Sequence, residues 1–161
     1  MAFQFTHSRL RQPRTQTLPA LGLTLRVLLE PEDSAGELTI IETVNAPGFG
    51  PPFHRHHETE VFRVLEGSYI YEVDGRRYPA EVGDVVSVPG GTPHRFVNVS
   101  DKPSRQLVMM LPGLDTFQFF GGLAETMRDG IPPRSVLNAF GESWGCEFLG
   151  GPLTLDQLTL P

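Results

Sequence analysis

The amino-acid sequence predicts an all-β protein, a barrel or jelly roll of short strands followed by two helical segments. Three observations carry that expectation. Apolar and polar residues alternate over short runs between Leu21 and Leu111, the period of half-buried strands. Glycine and proline, 17 and 15 of 161 residues, fall between those runs, where turns need them. After Pro112 the apolar spacing lengthens to that of a helix face. A chain of this length is expected to form one domain, burying roughly two-thirds of its unfolded surface.

Residues 1–19 are polar, with Arg, Gln and Thr around Pro13 and Pro19, and read as an arm. Leu21, Leu23, Leu25, Val27 and Leu29 alternate as a first strand, broken by the stretch from Glu30 to Gly36. Leu38 to Val44 form a second strand, ended by Asn45-Ala46-Pro47-Gly48. Val61 to Leu65 and Ser68 to Val73 are expected to make a hairpin about Glu66-Gly67. Asp74-Gly75 is a two-residue turn signal before Arg76 to Ala80. Val85 to Val88, Arg95 to Val99 and Gln106 to Leu111 complete a barrel over residues 20–112. In the extension, residues 113–161, Leu114, Phe117, Phe120 and Met127 follow a helical stripe weakened by Gly121-Gly122. Pro132-Pro133-Arg134-Ser135 opens a second helix with Val136, Leu137, Phe140 and Trp144 on one face. Both helices are expected to pack on the barrel, over its mouth or edge.

A net charge of −6 with no concentrated basic stripe argues against nucleic acid as a partner. The single cysteine, Cys146, has no disulfide partner within the chain and reads as buried apolar filler. Arg9, Arg11 and Arg14 precede a short apolar patch, but Arg26 interrupts it and no clear cleavage site follows. The expectation is a cytoplasmic protein without a membrane span.

Chemistry concentrates in two segments bounded by glycine and proline turns. In the first, His54 and His56 lie two apart, so on a strand both side chains leave one face, Cα atoms roughly 6.6 Å apart. Glu60 would be about 13 Å from His56 along an extended chain, too far to share an ion, so the chain must bend at His57-Glu58-Thr59. In the second, an apolar strand enters the turn Pro89-Gly90-Gly91-Thr92-Pro93, and His94 opens the strand that leaves it. His54, His56, Glu60 and His94 together outline a four-ligand metal site. His57 should point to the opposite face, and His7 reads as solvated.

Both segments resemble the two signature motifs of the cupin superfamily. Gly48, His54, His56, Glu60 and Gly67 match the first, and Gly83, Pro89, Gly91, His94 and Asn98 match the second, with no position missing. The resemblance implies a cupin-type double-stranded β-helix, a divalent ion held by His54, His56, Glu60 and His94, and a homodimer. Three imidazoles and one carboxylate fit Fe, Mn, Ni, Co or Zn without choosing among them. Octahedral geometry would leave two positions for water, oxygen or a chelating substrate.

Strand parity extends the site. If Glu60 points inward, so do Phe62 and Val64, and if His94 does, so do Phe96 and Asn98. Tyr69 and Tyr71 share a face and could present phenols there, so Phe62, Tyr69, Tyr71 and Phe96 are the expected substrate contacts. Arg55, Arg63 and Arg95 fall on the other parity. The chain resembles the quercetinase-like dioxygenases, which implies dioxygenase-type chemistry on a small aromatic or enol-type substrate with Glu60 as the proton acceptor. The alternative is a non-catalytic small-molecule-binding cupin or a metal-dependent isomerase.

Overall fold

A computed structural model describes residues 3–9 and 13–158. Residues 1–2, 10–12 and 159–161 lie outside them, and with them Arg11 and parts of the expected arm and extension. Among the described residues the strands are β1 (Thr15–Leu18), β2 (Leu23–Leu29), β3 (Thr39–Asn45), β4 (Pro52–Arg55), β5 (Thr59–Glu66), β6 (Ser68–Val73), β7 (Arg76–Glu81), β8 (Val85–Val88), β9 (His94–Asn98) and β10 (Ser104–Leu111). Helices α1 (Thr116–Thr126) and α2 (Arg134–Gly141) and strand β11 (Glu147–Pro152) follow.

The strands form two antiparallel sheets, β1-β2-β3-β10-β5-β8 and β11-β4-β9-β6-β7. Their inner faces meet in a core that includes Leu25, Phe62, Val64, Tyr69, Tyr71 and Val108. In β2 the expected alternation is strict, with Leu23, Leu25, Val27 and Leu29 buried. In β3 the inward set is Thr39, Ile41, Thr43 and Asn45, more polar than the outward Ile40, Glu42 and Val44. Register settles that choice of face, because Ile41 lies opposite Val27 on one side and Val108 on the other, and cross-strand neighbours share a face.

Asp74 and Gly75 have φ of 49° and 75°, the pair of left-handed residues that a type I′ hairpin turn needs. They join β6 to β7 with Val73 opposite Arg76. The expected hairpin about Glu66-Gly67 is instead a crossing between sheets: β5 pairs with β10 and β8, whereas β6 pairs with β7 and β9. Gly67 turns at φ 76° with its α-carbon against Ser104, whose hydroxyl a Cβ would overlap. Local alternation cannot tell a hairpin from such a crossing, because both need two strands and a tight turn.

Two strands fall where the sequence shows no strand pattern. Within the segment read as a polar arm, β1 pairs with β2 from Thr15 opposite Arg26 to Leu18 opposite Leu23, and Leu18 is buried. Four residues are too few to display a period. Within the segment read as helical, β11 adds to β4 with Phe148 opposite His54. Its Gly150-Gly151-Pro152 reads as a turn, and a long-range contact holds it. The Asn138 amide brackets Phe148, accepting from its N–H at 2.7 Å and donating to its carbonyl at 3.1 Å.

Asp115 caps α1 by accepting from the Gln118 N–H at 3.0 Å, supplying one of the helix's orphan donors with a partner. The buried stripe of α1 is Phe119 and Leu123, continued by Met127, while Phe117 and Phe120 are half-buried. Gly122 lowers helix propensity but admits the neighbouring helix, since a Cβ there would lie 2.7 Å from the Phe140 ring. Val136 of α2, expected inside, is 45% exposed, and Leu137 is the buried residue. Helix α1 packs on β1 and α2 on β11. No helix among the described residues is long and apolar enough to cross a membrane.

Candidate metal centre

The bend required between His56 and Glu60 is present: β4 ends at Arg55, residues 57 and 58 bend, and β5 begins at Thr59. The second motif's turn clamps it. The Gly91 N–H donates to the His56 carbonyl at 2.6 Å and the Gly90 N–H to Thr59 Oγ1 at 3.2 Å. Gly90 sits so close that a Cβ would fall on the His57 carbonyl. Antiparallel β4 and β9 place His54 directly opposite His94.

These elements bring the four predicted ligands together, with one donor atom from each of His54, His56, Glu60 and His94 all within 4.8 Å of one another. Ligands on opposite sides of an ion with bonds of 2.0–2.3 Å are about 4.0–4.6 Å apart, so the cluster fits a single divalent ion. The tautomers also fit. His54 Nδ1 lies 2.7 Å from the Pro52 carbonyl and His94 Nδ1 lies 2.9 Å from the Thr92 carbonyl. A carbonyl only accepts, so each Nδ1 carries the proton and each Nε2 is left for the ion. Glu60 Oε2 is 2.8 Å from His94 Nε2 and 3.1 Å from His56 Nε2.

Burial, and after it the neighbouring His94 and His56 rings, pushes the His54 imidazole down to about 3, so it is the neutral ring that a metal requires. Burial also disfavours the charged form of His56, but the paired Glu58 and Glu60 carboxylates outweigh it and raise the ring to about 10. Burial favours a protonated Glu60, yet the bonds from His56 and His94 hold it well below the usual carboxylate range. Without a cation, His56 is itself the positive charge between two carboxylates, and an ion binding Nε2 must displace its proton.

Glu58 is the residue that sequence reasoning missed. It is 4% exposed, with Oε2 3.1 Å from His56 Nδ1 and Oε1 3.1 Å from His57 Nε2. The His56 contact is an ion pair out of line for a hydrogen bond. Burial raises the Glu58 carboxyl, and the ion pair with His56 more than reverses that, leaving it below its ordinary value. The available signal was a glutamate in the bend beside two histidines, but parity says nothing about a residue that is not on a strand. His57 itself is mostly exposed, and His7 is exposed.

His54, His56 and Glu60 open on a mostly apolar cavity between the sheets, with about 80 Å3 available to the centre of a water molecule. Phe62 and Phe96 line it, as expected. Tyr69 and Tyr71 do not: both are fully buried, their hydroxyls donating to Asn45 Oδ1 at 3.0 Å and to Gln106 Oε1. Burial lifts both phenols above their ordinary range. The parity that put them inside was right about the face, and these hydrogen bonds commit their polar ends to the core. Asn98, also inward, is a structural hub, donating to the Asn45 and Lys102 carbonyls and accepting from Ser100 and Ser104.

The far side of the cavity comes from the C-terminal segment, through Phe119, Phe120 and Leu123 of α1, Trp144, Cys146 and Phe148. The extension therefore walls the metal centre. Cys146 is buried as expected, and burial together with the Glu60 and Glu58 charges pushes its thiol up to about 12. Arg55 pairs with Glu147 at 2.6 Å and Arg95 with Glu72 at 2.7 Å, and neither lines the cavity.

Fold and site together define a small two-sheet β-barrel protein with a cluster of three histidines and one glutamate suited to a divalent ion. Residues 41–110, which hold all four clustered side chains, match the family model described as Cupin domain. The chain is 27% identical over 93 residues to an uncharacterised protein of Methanocaldococcus jannaschii, covering 56% of this chain and 74% of that one. Over 70 residues it is 39% identical to gentisate 1,2 dioxygenase 1 of Aquipseudomonas alcaligenes, covering 43% of this chain and 19% of the enzyme. Among solved structures, an RmlC-like cupin from Shewanella frigidimarina superposes with a TM-score of 0.59 at 22% identity, covering 73% of this chain and 99% of that one. A predicted oxalate decarboxylase from Thermotoga maritima gives 0.57 at 20% identity, with 68% and 99% coverage. At these identities the structural likeness establishes the fold.

Proposed function

We propose that this protein is a metal-dependent cupin enzyme of dioxygenase type, acting on a small aromatic or enol-type substrate. The observation that carries the reading is the convergence of His54, His56, Glu60 and His94 beside a mostly apolar cavity. A divalent ion held there would supply Lewis acidity and, if redox-active, a route for electrons between substrate and dioxygen. The chain's own residues do the rest. Phe62, Phe96 and the α1 aromatics enclose the substrate body and exclude water, which strengthens every polar interaction at the site. Glu60 is the carboxylate placed to accept a proton from a substrate hydroxyl or enol. Glu58 holds His56 from behind. The 39% identity over 70 residues to a gentisate dioxygenase supports this class.

The test is metal analysis of protein purified without added metal, followed by oxygen-uptake assays with gentisate, catechols, flavonols and β-diketones. The proposal expects about one transition-metal ion per chain and uptake with at least one of these classes. A metal-loaded protein that binds such compounds without consuming oxygen would instead be an isomerase or a non-catalytic binding protein.

A further inference from the structure

The cavity contains a second polar feature, away from the metal cluster. Thr43 on β3 and Gln106 on β10 are direct cross-strand partners, so their Cβ atoms lie roughly 4.5–5.5 Å apart. Both line the cavity and both are buried, Gln106 completely. Thr43 Oγ1 and Gln106 Nε2 nevertheless have no hydrogen-bond partner. Buried polar groups are normally paired, and leaving one unpaired is costly. Two adjacent orphans facing one cavity mark a place where something polar belongs.

Geometry says what kind. Gln106 Oε1 already accepts from the Tyr71 hydroxyl, which fixes the amide and leaves its NH2 as the free end. Thr43 can donate as well. No Lys or Arg lines the cavity, so a neutral oxygen is favoured there over a carboxylate, whose burial without a cation is expensive. Met110, opposite Glu60, is four residues from Gln106 along β10, roughly 13 Å of strand. The orphan pair and the metal cluster thus stand at two ends of one apolar chamber.

We propose that Thr43 and Gln106 form an anchoring subsite for a neutral acceptor oxygen, a carbonyl above all, on an apolar-bodied substrate whose other end meets the metal cluster. This deepens the proposed function and rests on reading the cavity as a substrate chamber. Its test reads binding, without turnover, so that it fails separately from the oxygen-uptake assay.

The probes are acetophenone and its hydrocarbon isostere α-methylstyrene, titrated into the full chain, with its metal content unchanged, and followed by the fluorescence of Trp144. This single tryptophan lies in the cavity wall. The readout is the ratio of the two Kd values compared between variants, so that the probes' partition from water cancels. Thr43→Val removes a hydroxyl that has no partner and should fold normally. It should shift the ratio toward the hydrocarbon by about three- to tenfold, the scale of one net hydrogen bond. Gln106→Glu keeps an acceptor for Tyr71 but removes the amide donor, and should shift the ratio in the same direction. An unchanged ratio in Thr43→Val, or no fluorescence response to either probe in the wild type, overturns the proposal.

Discussion

His54 and His94 face each other across the β4–β9 ladder, ring centroids 4.4 Å apart, and each is oriented by the carbonyl two residues before it, Pro52 and Thr92. The orientation of each ring is local and their meeting is long-range. Both depend on the turn that clamps the bend between His56 and Glu60, and the predictions below separate these contributions.

Removing a ligand should lower metal content and stability together. A bound ion at 100 times its Kd stabilises the native state by about 2.7 kcal/mol. His56→Ala should contain well under one ion per chain and lose the rise in Tm that added Zn(II) or Mn(II) gives the wild type. Elemental analysis and thermal melts with and without chelator check this, and full occupancy in the variant would remove His56 from the ligand set.

Glu60→Gln keeps the shape and an oxygen donor but removes the charge and most of the basicity. With a substrate in hand, turnover should fall by about 100-fold or more, the scale of a positioned general base, while much of the metal stays bound. Unchanged kcat at full metal content would show that Glu60 is not the proton acceptor.

The pH dependence of the metal-free protein follows from three shifts. His54 is lowered from 6.5 to about 3 in the folded chain, so stability is lost as pH falls below 6.5. His56 is raised from 6.5 to about 10 in the folded chain, so its contribution is complete below pH 6.5 and is lost as pH rises through about 10. Glu60 is lowered from 4.5, so its contribution is present above about pH 4.5 and lost as pH falls through its lower folded value. With the His54 contribution failing below pH 6.5 and that of His56 above it, chelator-treated protein should melt highest near pH 6.5. Metal binding near neutral pH should release about one proton, because His56 must deprotonate. Calorimetry in buffers of different ionisation enthalpy measures that release, and none would contradict the charged His56.

The Asn98 side chain makes five hydrogen bonds from a fully buried position. Asn98→Ala should cost more than about 3 kcal/mol in denaturant unfolding, since each buried group left unpaired costs roughly 1–3 kcal/mol. A loss under 1 kcal/mol would mean that the neighbouring serines and carbonyls re-pair without it.

Gly90→Ala drives a methyl group into the His57 carbonyl. It should cost about 1–3 kcal/mol, the range for overpacking, and also weaken metal binding by displacing the bend that carries Glu60. Gly151→Ala, where a Cβ meets nothing within 4 Å, is the control and should do neither. If both variants behave alike, the clamp on the bend is not structural.

The sequence by itself determined the period of most strands, the turn at Asp74-Gly75 and the need for a bend after His56, because each depends on neighbours a few residues apart. It also picked out the four side chains that cluster, since parity puts His54 and His56 on one face and the two motifs are complete. Tertiary structure decided which face of β3 is inside, that the chain at Gly67 crosses sheets, and that β11 pairs with β4 while Asn138 of α2 brackets Phe148. It also decided the fate of the polar side chains. Tyr69 and Tyr71 point inward as parity requires, yet partners at Asn45 and Gln106 take their hydroxyls, while Thr43 and Gln106 keep free polar ends and Glu58 is drawn behind His56. Periodicity fixes the side of the chain that a residue leaves. The atom it meets there is set by register between strands far apart in sequence, and no local pattern carries that register.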